Sequence, residues 1–510
     1  MRICIALIAW ASVGSAGLAG WKDDIGYLSL QARLGSGTPT GFGVPVTQVE
    51  ASVSGCYLPD PSNSQFLGKT IVDMIGGGGV SSHATTVALN YYGLTASVAP
   101  AIDLIHGYDA TSWLDSAFLC VGQRKPPVVE TQRTQNHSWI GELSGSSTID
   151  ALRRVDLMAE RDGVVVAAGV NNGAASAMPK LVGSAYNVMA VGCTSGNSSY
   201  GPTLIDVAGR VKPDLVVPHT ATSWATPVVA GSAAILIEAA DADPALDALT
   251  RSDKALLIKA LLMGGATKSE FVNWRRGFAT PCVDGTVPLD YRYGAGELNI
   301  DNSHRILTSG QQEAGLTTTV ATTGWDFDTI AAGPGRYYFV DVPLYSCAET
   351  LSVLVTWYRH VDIGNGLPAP LTPSLADINL YMYQANGFSV GALLDQSISA
   401  LDNVEHVFLR GLLPGRYVFE LTSNATWNFA VAWDTTLAPT VQADFDGDGD
   451  VDMTDFSAIE ACFNGPNRPP ATSNCEGPDL DGDNDVDLTD FGVFQACFNG
   501  PNRPPAPGCP

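Results

Sequence analysis

Hydrophobic and polar positions follow three different patterns along this chain, and the changes of pattern divide it. From about residue 41 to 311, short β-branched runs at 44–49, 163–168 and 186–191 interleave with helical stretches at 148–159, 227–240 and 253–262. Strands separated by helices predict an α/β fold around a mostly parallel sheet, with functional residues at the carboxyl ends of the strands. From about 315 to 437 the helical stretches disappear. Strand-like runs at 336–342, 351–357, 377–383, 406–410 and 416–421 are separated by turn signals such as Pro414-Gly415 and predict an all-β sandwich. The remaining segment carries one unit twice, about thirty-five residues apart. Asp444-Phe-Asp-Gly-Asp-Gly-Asp-Val-Asp-Met-Thr-Asp-Phe456 returns as Asp479-Leu-Asp-Gly-Asp-Asn-Asp-Val-Asp-Leu-Thr-Asp-Phe491, each time followed by a short helical stretch.

At the N-terminus, Arg2 precedes an apolar run at 3–10 and small residues up to Gly20, the pattern of a secretory signal cleaved after Ala19 or Ala16. The expected units are therefore 1–19 (signal), 20–311, 312–438 and 439–510. No later stretch reads as long and apolar enough to span a bilayer, so the expected location is outside the cell, soluble or attached at its surface. Of ten cysteines, Cys4 leaves with the signal. Cys462, Cys475, Cys497 and Cys509 fall in the repeat, and Cys56, Cys120, Cys193, Cys282 and Cys347 are scattered without metal-ligand spacing. An odd remainder leaves at least one thiol unpaired. The net charge of −25 excludes the basic footprint of a nucleic-acid binder. About half of it lies in the Asp-rich repeat, which points to cation binding.

The candidate chemistry centres on Thr222-Ser223-Trp224-Ala225-Thr226-Pro227, followed by an apolar run to Ala240. A serine at the mouth of a helix sits where free N–H groups and the dipole stabilise negative charge. Alone, this stretch fits a capped core helix equally well. Acyl transfer also needs a base, a group that orients the base, and donors for the oxyanion. His83, in Ser81-Ser82-His83-Ala84, is the candidate base. The preceding run Gly76 to Gly79 lacks the Lys-Ser/Thr ending of a phosphate loop and reads as a turn. Val164-Val-Val-Ala-Ala-Gly-Val-Asn171-Asn172-Gly173 is a buried strand entering a polar turn. That turn offers two side-chain amides, Asn171 and Asn172.

These segments, in this order, resemble the subtilisin family. Ser223 matches its Gly-Thr-Ser-Met-Ala-Thr-Pro-His segment, His83 its Ser-His-Gly-Thr-His segment, and Asn171 its Ala-Ala-Gly-Asn-x-Gly segment, which implies Asn171 as the oxyanion donor, with Asn172 in its place if the loop is shifted. Ser138-Trp139-Ile140-Gly141 resembles the strand that pairs with a substrate backbone, which makes Ser138, Trp139 and Gly141 the expected substrate-lining residues. Arg210-Val-Lys-Pro-Asp-Leu-Val-Val-Pro218 and Tyr293-Gly-Ala-Gly-Glu-Leu-Asn299 resemble two further family segments. The resemblance covers roughly 41–311 and implies a serine endopeptidase acting on polypeptides. One departure falls on the chemistry: Glu50 stands where the family has the Asp that orients the histidine. Ala221 replaces a family Gly, and the segment between Pro218 and Ser223 is short. About thirty residues separate the expected mature N-terminus from Glu50, which leaves no room for the family's propeptide. The rival reading is an inactive member of the fold that works as an extracellular binding protein.

In the repeat, Asp444, Asp446, Asp448, Asp450, Asp452 and Asp455 occupy positions 1, 3, 5, 7, 9 and 12 of a calcium loop, with Gly449 at the sharp turn. Asp479, Asp481, Asp483, Asp485, Asp487 and Asp490 repeat the set, with Asn484 at the turn, where Asn tolerates a left-handed backbone. Paired loops ending in Asp resemble dockerin modules, which implies two Ca2+ ions and a cohesin-like protein partner. Cys462 with Cys475, and Cys497 with Cys509, are expected to close a small loop within each repeat.

Overall fold

The computed structural model describes residues 20–269, 271, 273–277, 286–343, 348–363, 371–437, 443–446, 450–469, 475, 477–501, 503, 506 and 509. The expected signal, Cys282, Cys347, Asp448 and Gly449 lie outside the described residues. Seven parallel strands form the central sheet: β1 (Val46–Glu50), β2 (Thr70–Asp73), β3 (Leu104–Asp109), β4 (Thr134–His137), β5 (Val165–Gly169), β6 (Met189–Cys193) and β7 (Leu215–Val217). Their spatial order is β7-β6-β5-β4-β1-β3-β2. The chain moves outward to β2, returns through β3 and then crosses to β4, so the order reverses at β1. That switch opens a crevice beyond the carboxyl end of β1, where Glu50 sits.

Both faces of the sheet are covered, as its apolar strands require. Alternate residues of β1 go to opposite cores. Val46 packs with Tyr91 and Val228, from α1 (Ser82–Tyr92) and α3 (Thr222–Ala242), whereas Val49 packs with Leu152 and Val155 from α2 (Ser146–Asp162).

Helix α3 departs from expectation in two ways. It begins at Thr222 rather than at Pro227, so the proline lies inside it. Proline has no N–H to offer the carbonyl four residues earlier, which here belongs to Ser223. The Ser138 hydroxyl donates to that carbonyl instead, at 3.0 Å. The helix is also long and apolar enough by composition to cross a membrane, contrary to the expectation that no stretch would be. It is buried along nearly its whole length in the core of this unit, and a helix buried on all sides has the same apolar signature as a membrane span.

The segment 319–437 forms two facing sheets. One orders the strands Thr319–Val320, Arg336–Val342, Gly415–Ser423, Ile378–Asn386 and Ser389–Ser397; the other orders Gly324–Ile330, Trp427–Leu437, Ala348–Thr356 and Val404–Leu412. Tyr338, Val353, Phe419 and Trp433 fill the space between them. The four-stranded sheet is buried on its outer face too. Its Leu354, Ala430 and Ala432 share a core with α4 (Arg251–Gly264), which explains why α4 is buried from Lys254 to Gly264. A Cβ on Gly264 would lie 2.9 Å from that of Ala432.

Charged contacts cross the same junction. Arg359 pairs with Asp156 through Nε at 2.8 Å and with Asp206 at 2.7 Å, all three being buried. The Tyr186 ring lies between the Arg210 and Arg359 guanidinium groups, 3.8 and 4.2 Å from its centroid. Asn187 closes the join by exchanging two 2.8 Å hydrogen bonds with the Arg359 backbone. The sandwich is thus packed against the parallel-sheet unit as a continuation of its core.

The C-terminal helices, α5 (Met453–Cys462) and α6 (Leu488–Cys497), each begin with a capping box, Asp452 with Asp455 and Asp487 with Asp490. The two repeats bond reciprocally: Asn464 N–H donates to Val486 O, and Asn499 N–H to Val451 O. Cys462–Cys475 and Cys497–Cys509 are disulfides, as expected, with Cα separations of 5.4 and 4.5 Å. Cys56, Cys120 and Cys193 are free thiols.

Candidate active site

The crevice at the switch point collects side chains from four elements. Glu50 ends β1 and is 1 % exposed. Its Oε2 accepts a 2.8 Å hydrogen bond from Nδ1 of His83, the second residue of α1. Its Oε1 accepts from Nε2 of Gln48 at 3.0 Å. Gln48 is itself held twice, donating to Ala84 O at 2.9 Å and accepting from the Tyr92 hydroxyl at 2.6 Å. The longer arm of a glutamate therefore ends in a buried clamp that leaves its carboxylate one position. Gln48 and Tyr92 escaped the sequence reading. Gln48, two residues before Glu50, lies on the same face of the strand, and that period of two could have found it.

Burial pushes the His83 pKa down, but the charge and hydrogen bond of Glu50 outweigh it and hold the imidazole above its ordinary value. Two other imidazoles in these segments are no match as bases. Burial lowers His137 to about 3 and His219 to about 4, too weak to accept a proton efficiently near neutral pH.

Ser223 is the second residue of α3, so its backbone N–H is among the first-turn donors that no helical carbonyl reaches. Its Oγ lies 3.4 Å from Ser138 O, and among the described residues that is its hydrogen-bond contact. The end of β5 approaches α3 closely. A Cβ on Gly169 would lie 2.9 Å from the Thr226 hydroxyl, so glycine there lets the following turn reach the nucleophile segment. Asn171 is fixed in that turn by its backbone, its N–H donating to Ser199 Oγ and its carbonyl accepting from Ser199 N–H. The side chain that reaches α3 is that of Asn172. Its Oδ1 accepts from the Thr222 N–H at 2.9 Å and from the Thr222 hydroxyl at 3.1 Å, which turns its Nδ2 donors away from Thr222.

Ser138 and Gly141 follow β4 outside any helix or strand. The Trp139 side chain is buried in the core beside His137. Trp224, beside the nucleophile, was likewise missed by sequence reading. Its ring lies against His83, with centroids 5.2 Å apart.

In the C-terminal loops, carboxylate oxygens of Asp444, Asp446 and Asp455 lie within 4.8 Å of one another, as do those of Asp450, Asp452 and Asp455. The second repeat groups Asp479, Asp481 and Asp483, and then Asp485, Asp487 and Asp490. Asn484 has φ 74°, the left-handed turn expected of it. Oδ1 of Asp485 is buried with no hydrogen-bond donor. Acceptor-only groups crowded around such an atom fit a hard cation with oxygen ligands.

Comparison with known proteins finds a family model for each of two segments. Residues 120–296 match the subtilase family, and residues 442–496 match the dockerin type I domain. The chain therefore carries the domain of a subtilisin-like serine peptidase and, C-terminal to it, a domain of a calcium-binding docking type. A solved structure described as the prenylagaramide maturation protease PagA is 18 % identical, covering 52 % of this chain and 94 % of that one, with a TM-score of 0.33. No curated protein matches the chain.

Proposed function

We propose that this chain is an exported endopeptidase that hydrolyses polypeptides through Ser223, His83 and Glu50, and that its C-terminal module attaches it to a cohesin-type partner. The observation that carries this reading is the 2.8 Å bond between Glu50 and His83 Nδ1. It fixes the imidazole proton on Nδ1 and leaves Nε2 free to act as base. The reaction requires Ser223 Oγ to leave Ser138 O and donate to that nitrogen. His83 takes the hydroxyl proton as Oγ attacks the peptide carbonyl, and returns it to the leaving amine. Water then releases the acyl group by the same proton path. Ser138 and Gly141 offer backbone groups to an extended substrate. In the C-terminal module, Ca2+ held by the two aspartate sets would fix the loops and present α5 and α6 to the partner.

The oxyanion donors in this reading are the Ser223 N–H and Asn172 Nδ2. Asn172→Ala is expected to lower kcat about 10²- to 10³-fold with little change in KM. Asn171→Ala should leave both nearly unchanged. Steady-state kinetics on a peptide library hit would separate the two, and the reverse order would restore Asn171 to the role.

A second reading, a non-catalytic binding protein, draws on the Ser223 hydroxyl pointing at Ser138 O rather than at His83. Active-site labelling decides between them. The folded, calcium-loaded full chain should react with a fluorophosphonate probe at Ser223, and His83→Ala should abolish the reaction. Wild-type protein that stays unlabelled would establish the binding-protein reading.

A further inference from the structure

We propose that Trp224 is a positioning residue that acts through His83, its ring bracing the imidazole against rotation and stabilising the imidazolium formed when Ser223 loses its proton. The inference rests on the catalytic reading above. Glu50 tethers the imidazole at one atom, Nδ1, and the carboxylate itself is immobilised by Gln48. A ring held at one edge can still roll about its Cβ–Cγ bond, which would swing Nε2 away from the nucleophile. The Trp224 ring lies against it at 5.2 Å, with an interplanar angle of 38°. Trp224 also follows Ser223 directly on α3, so the brace and the nucleophile move as one body. A displacement of about 1 Å at this point can cost on the order of 10²-fold in rate.

The second contribution is electrostatic. The face of an indole attracts a cation within about 6 Å of its centroid. During reaction His83 becomes such a cation, and its side chain is only 26 % exposed. The charged group acting on it among the described residues is Glu50. An indole supplies the second side of the site without adding a charge that would have to be desolvated.

Two variants of the full chain, Trp224→Phe and Trp224→Leu, test this. Both keep bulk over His83, but only Phe keeps a ring face. Fluorophosphonate labelling should slow by about 10-fold or more in the Leu variant and stay close to wild type in Phe. The His83 titration, followed by NMR through the resonance lost in His83→Ala, should fall about half a unit lower in Leu than in Phe. Equal labelling rates and equal titrations in the two variants would overturn the proposal, as would a Phe variant as slow as Leu. The titration needs no activity. An unlabelled wild type with the expected difference in titration would sink the catalytic reading while leaving the ring contact standing.

Discussion

Glu50→Gln is expected to lower kcat for peptide hydrolysis by about 10⁴-fold with KM nearly unchanged. The size follows from the clamp on the carboxylate. Oε1 accepts from the Gln48 amide N–H and Oε2 from His83 Nδ1. A glutamine here has one acceptor and one donor end, and the Gln48 N–H takes the acceptor. The amide N–H2 is then left facing Nδ1, which must give up its proton to receive it. The imidazole proton moves to Nε2, where a base is needed, and Ser223 loses its proton acceptor. The pH profile provides an independent sign. In the native chain Glu50 holds the His83 pKa above its ordinary value against the effect of burial, so activity should fall as acidity rises through that raised pKa. Removing the carboxylate charge removes the upward pull, and the acid limb of the residual activity should move to lower pH. Glu50→Asp keeps the charge but draws it back by one methylene. It should cost roughly 10²-fold, because one carboxylate can no longer reach both Gln48 and His83. An aspartate variant as fast as native protein would show that the clamp does not set the geometry.

Arg359→Ala should destabilise the folded chain by about 3–5 kcal/mol, the cost of leaving the buried Asp156 charge without its cation, while Asp206 keeps Arg153 at 3.2 Å. Asp156 is 0 % exposed and Asp206 8 %, so water cannot replace the guanidinium. Burial works against the Arg359 charge, yet Asp156 and Asp206 outweigh it and raise its pKa. Urea unfolding at fixed Ca2+ should show a lower midpoint with an unchanged slope. Adding Asp156→Asn and Asp206→Asn should recover part of the loss, since neutral amides tolerate burial better than unpaired carboxylates. Arg359 belongs to the sandwich segment, and Asp156 to α2 of the parallel-sheet unit. If Arg359→Ala unfolds the sandwich in a separate early transition, the two units are not one cooperative structure.

Much of this architecture was legible along the chain because it depends on local periodicity. The parallel sheet follows from β-branched runs between helices, the sandwich from short strands between turns, and the paired loops from aspartates at fixed offsets. The candidate residues His83, Ser223 and Glu50 were also legible, each from its own short segment. The amides of Asn171 and Asn172 were legible as neighbours in one turn, but which of them approaches α3 is a tertiary contact, the bond from Thr222 N–H to Asn172 Oδ1.

What the sequence determined by itself was the inventory: the elements, the chemical groups, and the departure of Glu50 from aspartate. Whether a glutamate can hold that imidazole was decided only by the tertiary structure. The answer depends on Gln48 and Tyr92, which hold the Glu50 carboxylate in a crevice made by a sheet whose strand order reverses at β1. The same holds for α4, whose apolar outer face has a partner more than a hundred residues later. A local pattern records which surface must be buried, whereas the identity of its cover is a long-range contact that no window of sequence contains.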